Sequence, residues 1–219
     1  MHPDTLPDDD TLLAYTLGEL SPLHRSVIDA HLVLRPDTAG KVETLAAPGG
    51  TWLRQQPTRA PAPDLFAKIT AQLPDADPYV DLPLPAALRS ALPRRSSPPR
   101  FGRLPGSRVD TTVLARDGAD SLVLVTLPPD TRLPNHRHLG LEALTVLTSG
   151  YEDHLGETWT GDYRTYPPGS AHDPVNIGDE AGWILAYLQA GVRFTGWRGV
   201  VISIVEKLRA RKRAVAQVG

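Results

Sequence analysis

The sequence predicts an α+β chain in which a small N-terminal helical module is followed by a C-terminal all-β barrel. Three observations carry this reading. Apolar residues recur at helical spacing up to about residue 75, short alternating runs take over from about residue 107, and prolines crowd between them. Eleven of the 22 prolines fall between Pro57 and Pro105, a composition that favours extended chain. The expected organisation is a helical domain over 1–75, a proline-rich linker over 76–106, a β domain over 107–197 and a basic tail over 198–219 that could itself be helical.

The first helix is expected in "DDDTLLAYTLGEL", with Asp and Thr as N-cap candidates ahead of Leu12, Leu13 and Leu17, and Gly18 near its end. Asp8 to Asp10 read as its solvated entrance. A second follows in "SPLHRSVIDAHLVL", where Ser21 caps, Pro22 takes the first helical position, and Leu23, Val27, Ile28 and His31 share a face. "RPDTAGKVETLAA" suggests a third, with Val42 and Leu45 inward and "PGG" ending it. "PDLFAKITAQLP" suggests a fourth, with Leu65, Ile69 and Leu73 in steps of four before Pro74. Each is short and one-sided, so each needs a neighbour or a partner protein to bury its stripe. After the prolines, "TTVLARDG", "SLVLVTLPPD", "ALTVLTSGYEDHLG", "ETWTGDYRTYPPGSAH" and "GWILAYLQAG" are β-branched or alternating runs separated by turn residues. That is the pattern of a barrel or sandwich.

Composition limits the function classes. The net charge of −2 argues against nucleic-acid binding by the chain as a whole, and no run of 18 apolar residues offers a membrane span. The start "MHPDTLPDDDTLLAY" lacks the basic and apolar regions of a secretory signal, so the cytoplasm is the expected compartment. With no cysteine in the chain, disulfides, thiolate zinc sites and thiol switches are excluded. In the terminal run "RGVVISIVEKLRARKRAVAQ", Lys207, Arg209, Arg211, Lys212 and Arg213 are expected to form a solvated basic end. His24 and His154 lie in polar surroundings and read as surface residues, whereas Tyr151, Trp159, Tyr163, Tyr166 and Trp183 read mostly as core or pocket wall.

The chemistry concentrates in "PNHRHLGLEALTVLTSG". Residues two apart on a strand point the same way, so His136, His138 and Glu142 share a face that Leu144 and Val146 continue inward. His172 follows a Pro-Pro-Gly turn, where a neighbouring strand could bring it to the same spot. Three imidazoles and a carboxylate suit one borderline divalent metal. Ligand type alone does not choose among zinc, iron, manganese and nickel. A lone His-x-His would be a weak signal, but here the spacing of turns and strands extends it. Gly161, five residues, Pro167, Pro168, Gly169, two residues, His172, three residues and Asn176 resemble the second cupin signature without a gap, and His136, His138 and Glu142 resemble the first. The glycine that usually follows the glutamate is displaced, with Ser149 in its place and Gly150 next. The resemblance implies that the β domain is a cupin, a double-stranded β-helix or jelly-roll barrel.

The helical module, the proline-rich stretch, "HRHLGLE", "YEDHLGETWTGDY" and "VRFTGW" together resemble the ChrR family of anti-sigma factors over nearly the whole chain. The resemblance implies an anti-sigma domain that binds an extracytoplasmic-function RNA polymerase sigma factor, with zinc as the expected cupin metal. It further implies that the cupin serves response to singlet oxygen or organic peroxide. The chain departs from the family where the helical domain would bind its own zinc. His31 stands, but Arg35 and Thr38 occupy the two thiolate positions, Leu6 replaces a further histidine, and His2 is out of register. No zinc is therefore expected in that domain, and His31 is read as a packed or hydrogen-bonded helix residue. An alternative from another class is a metal-dependent cupin enzyme such as a dioxygenase or isomerase. Against it, no titratable group beyond the ligands is placed by sequence to move protons, and no catalytic residue is assigned. A homodimer also stays open.

Overall fold

The computed structural model describes residues 5–72 and 77–195. The basic tail over 198–219, Trp197, and Leu73 with Pro74 lie outside the described residues. Helix α1 spans Asp9–Leu17, with the Asp8 carboxylate accepting from the Thr11 amide at 2.7 Å and Gly18 ending it in the left-handed conformation, φ 76°. Such a cap satisfies donors the helix cannot pair itself. Leu12 is buried, whereas Leu13 and Leu17 are exposed at 43% and 62%. Helix α2, Pro22–Leu34, begins at the Ser21 cap and buries Leu23, Val27, Ile28 and His31 on one face, as its spacing predicts.

Two helical expectations need correction. Helix α3, Pro36–Arg54, does not stop at "PGG" but runs through Pro48, with Leu45 exposed and Thr38 as its one buried residue. Proline removes a single donor there, on a stretch whose side chains face water, so a kink costs little packing. Helix α4, Leu65–Thr70, buries nothing, leaving Leu65 and Ile69 uncovered. The proline-rich stretch is packed in part. Helix α5, Ala86–Ala91, places Leu88 in the core with Tyr79, Leu84 and Leu92, and the Tyr79 hydroxyl donates to the Pro93 carbonyl at 2.6 Å.

The β domain opens with β1, Gly102–Arg103, then β2, Asp110–Asp117, β3, Asp120–Leu127, β4, His136–His138, β5, Glu142–Thr148, and β6, Gly150–Asp153. It continues with β7, Gly156–Trp159, β8, Tyr163–Tyr166, β9, Ala171–His172, β10, Val175–Asn176, β11, Gly182–Leu188, and β12, Val192–Phe194. All pairings are antiparallel, in a six-stranded sheet ordered β1-β2-β3-β11-β5-β8 and two three-stranded sheets, β10-β6-β7 and β12-β4-β9.

Both faces of the large sheet are buried, for different reasons. Leu122, Leu124, Ala143, Leu147, Tyr163 and Leu185 face outward and pack with Leu23, Val27 and Ile28 of α2 and with the leucines around α5. Leu144, Val146, Ile184 and Ala186 face inward and pack on Tyr151 and Tyr166. Strand β5 therefore reads as a nearly continuous apolar run in which odd and even positions serve separate cores. Each fully buried leucine or isoleucine of the outer core contributes about 1.5–3 kcal/mol.

Ser149, at the displaced glycine of the first signature, adopts φ 62° and ends β5. Its hydroxyl meets Asn176 Oδ1 at 3.2 Å, and its carbonyl accepts from the Thr160 amide at 3.0 Å, bonds that hold a serine in a conformation glycine would take more easily. Gly150 cannot be exchanged with it, because a Cβ there would collide with the Trp159 ring.

Candidate metal centre

The four residues singled out by sequence converge. Strand β4 turns His136 and His138 to the barrel interior with Arg137 exposed between them. The pairing of β4 with β9 sets His136 opposite His172, and Glu142 enters at the start of β5. All four are buried, and their potential donor atoms lie within 4.8 Å of one another.

The hydrogen bonds behind these side chains determine which atoms face the centre. His136 donates from Nδ1 to the Pro134 carbonyl at 3.0 Å, and His172 donates from Nδ1 to Asp153 Oδ2 at 2.7 Å. Both Nε2 atoms are thereby turned toward a common point, and the two nitrogens stand only 3.0 Å apart. Neither ring nitrogen of His138 has a hydrogen-bond partner, and Glu142 Oε2 is likewise unpartnered although His138 Nδ1 is 3.1 Å away. Imidazole nitrogens and a carboxylate facing one another in a buried site would be satisfied by a cation among them. A divalent ion fits, since donors ~2.0–2.2 Å from a metal stand roughly 3–4 Å from each other, and closing from the present spacing needs only small side-chain adjustments.

Protonation follows the same geometry. Burial lowers His136 to about 4 and also lowers His138. Burial pushes Glu142 upward, but the surrounding imidazoles outweigh it and hold the carboxyl below its usual range. For His172 burial is again opposed, here by Asp153 and Glu142, which raise it to about 9. Asp153 is held near 2 despite its burial by His172, Tyr166 and the Leu155 amide.

Sequence reasoning missed Asp153 as a partner of the site. It lies in the quoted run "YEDHLGETWTGDY", but only the fold shows that this carboxylate turns toward His172. Tyr151 and Tyr166 are buried as expected, while Trp159 is exposed at 44%. A cavity of about 330 Å³ adjoins the centre, touching His136 and Glu142 and walled by Val123, Val125, Leu133 and Phe194 among others.

The helical module meets the barrel on the outer side. His24, expected at the surface, is buried. It stacks on the Tyr187 ring at 5.1 Å and its Nε2 lies 2.9 Å from the Tyr163 hydroxyl. The sequence showed only polar neighbours, whereas the helical face brings His24 over the sheet. His154 is exposed, as expected. His31 has both ring nitrogens occupied, Nδ1 by the Gly161 carbonyl at 2.7 Å and Nε2 by the Thr38 hydroxyl at 3.2 Å. Arg35 reaches Asp162 at 3.3 Å, and the Thr145 hydroxyl donates to the Val27 carbonyl at 2.9 Å. Where the resemblance places two thiolates, one residue thus supplies a hydrogen bond to His31 and the other an ion pair to the barrel.

Comparison with known proteins agrees with both parts of the architecture. Residues 100–190 match the model of the ChrR Cupin-like domain. The anti-sigma-E factor ChrR of Cereibacter sphaeroides is 28% identical over 173 residues, covering 76% of this chain and 81% of the relative. Among solved structures, a chain from the crystal structure of Rhodobacter sphaeroides SigE in complex with the anti-sigma ChrR is 27% identical. It aligns with a TM-score of 0.62 over 84% of this chain and 97% of that one. Residues 100–190 are therefore similar to the ChrR cupin-like domain, in a chain that is similar to the anti-sigma factor ChrR over most of its length.

Proposed function

We propose that this protein is an anti-sigma factor of the ChrR type. It binds an extracytoplasmic-function sigma factor through its helical module, and its cupin domain holds a metal and senses an oxidative signal such as singlet oxygen or organic peroxide. The observation that carries the reading is the single alignment running through helices and barrel alike, with 97% of the chain from the SigE–ChrR complex covered. The helical module also has apolar side chains to offer a partner: Trp52 is 63% exposed and Phe66 78%, with Leu53 and Ile69 beside them in sequence. A sigma factor acts with RNA polymerase, which places the complex in the cytoplasm.

His136, His138, Glu142 and His172 are the ligands of one divalent ion, which their borderline donor set suits, with zinc the favoured metal on the ChrR resemblance. When bound, the ion supplies the positive charge that the converging lone pairs lack. Elemental analysis of protein purified without chelator is expected to return one metal per chain, and His136→Ala with His138→Ala none.

Co-expression with the sigma factors of the host, followed by pull-down on the tagged full chain, tests the partner. A sigma factor is expected to be retained, and Leu53→Asp with Phe66→Asp is expected to weaken retention at least tenfold. Absence of any sigma factor under gentle conditions would move the weight to a metal-dependent enzyme, for which the cavity against His136 and Glu142 leaves room.

A further inference from the structure

A side chain outside the ligand set is built around one of its members. Asp153 closes strand β6, and its carboxyl group is fully buried. One oxygen, Oδ1, accepts from the Leu155 amide at 2.9 Å, which fixes the carboxyl group on the turn into β7. The other, Oδ2, lies 2.7 Å from His172 Nδ1 and 2.6 Å from the Tyr166 hydroxyl. Tyr166 is in turn 2.9 Å from the Tyr151 hydroxyl, so the carboxylate is backed by two buried phenols and has no water-facing edge. Because both oxygens are engaged from fixed elements, the imidazole of His172 is held in one orientation, with Nδ1–H on the carboxylate and Nε2 turned toward His136 and Glu142.

We propose that Asp153 is the positioning residue of the metal centre, holding His172 as a preorganised ligand, and that Tyr166 holds Asp153 in turn. This rests on the reading of the four converging residues as ligands. The physical basis is general: a carboxylate accepting the distal N–H of a ligating histidine fixes the ring and raises the basicity of the ligating nitrogen, and its loss costs about 10–100-fold in metal affinity. A merely structural carboxylate would instead pin the β6–β7 turn through Leu155 and leave the centre unaffected.

Asp153→Asn distinguishes the two. The amide keeps the size and can still accept from the Leu155 amide, but it lacks the charge, and its NH2 can present a donor to Nδ1, which would move the proton to the Nε2 that should face the metal. Zinc affinity of the full chain is measured by competition with a chromophoric chelator, and the cobalt(II) form is read by its visible absorption bands. Asp153→Asn is expected to lose 10–100-fold in zinc affinity and to shift the cobalt bands. Tyr166→Phe, which leaves the carboxylate in place, is expected to lose several-fold, and it serves as the test should Asp153→Asn fail to fold. Tyr151→Phe, one step further out, is expected to lose less than Tyr166→Phe. Equal affinity and an unchanged cobalt spectrum in Asp153→Asn would overturn the role of Asp153 while the ligand assignment stood. An equal loss in Tyr151→Phe would overturn it in favour of general damage to the hairpin. A wild-type chain that takes up neither zinc nor cobalt would overturn the ligand reading itself.

Discussion

At the scale of single residues, His31 and the two positions where the ChrR resemblance expects thiolates are tied to each other and to the barrel by hydrogen bonds and an ion pair. His31 sits fully buried between Gly161 and Thr38, and burial, opposed by the Gly161 hydrogen bond, lowers its pKa to about 4 from 6.5. The sign is set by the unfolded chain, in which this histidine protonates near its ordinary value. Stability from the neutral His31 is fully present above pH 6.5 and is lost as pH falls toward 4, to an extent of up to about 3 kcal/mol. Urea unfolding at pH 7.5 and pH 5 is expected to show this loss, and His31→Gln is expected to be less stable at pH 7.5 but flatter with pH. The four converging residues of the barrel were legible because strand alternation and motif spacing are local. Asp153 was not, since nothing in its neighbours says which buried imidazole it will meet. His24 was misread for the same reason: its partners Tyr163 and Tyr187 are more than a hundred residues away in sequence.

At the scale of elements, α2 lies mainly on β5 and β11, and β8 adds the Tyr163–His24 contact. Ile28 is buried against the outer face of the large sheet, and Ile28→Ala is expected to cost about 2–5 kcal/mol in chemical denaturation, since neither helix nor sheet can close the cavity alone. The Arg35–Asp162 pair is partly exposed, and a double-mutant cycle is expected to return a coupling of about 0.2–1 kcal/mol. Strand β8 sends Tyr166 inward to Asp153 and Tyr163 outward to His24, while the preceding Gly161 and Asp162 hold His31 and Arg35. One short strand therefore touches both the carboxylate behind His172 and the surface that grips α2. Zinc added to the metal-free chain is expected to slow amide exchange in α2 as well as in β8. Slowing confined to the barrel would show that the two are energetically separate. Capping residues made α1 and α2 legible in the sequence. The span around α5 was hidden because prolines dominate it, although Leu84, Leu88 and Leu92 already stand at helical steps of four.

At the scale of the whole molecule, the helices act as the cover of a sheet that is apolar on both sides. Sequence could show that the helices had one apolar face each and that β5 was apolar throughout. It could not show that these surfaces were made for each other, because amphipathic marks do not name their partner. The pairing has a consequence for partner binding: the face of α2 that carries Leu23, Val27 and Ile28 is already used, so a partner protein is left the exposed side chains of α3 and α4 and those around them. Removing residues 1–72 would uncover Leu122, Leu124, Leu147 and Leu185 together, a contiguous apolar surface of the kind that drives self-association. Sedimentation of such a barrel is expected to show oligomers or aggregate where the full chain does not. Restoring residues 1–72 as a separate chain is expected to return it to a one-to-one complex. A truncated barrel that stayed monomeric at the stability of the full chain would mean that the helices rest on the sheet without stabilising it, leaving the whole helical module free for a partner.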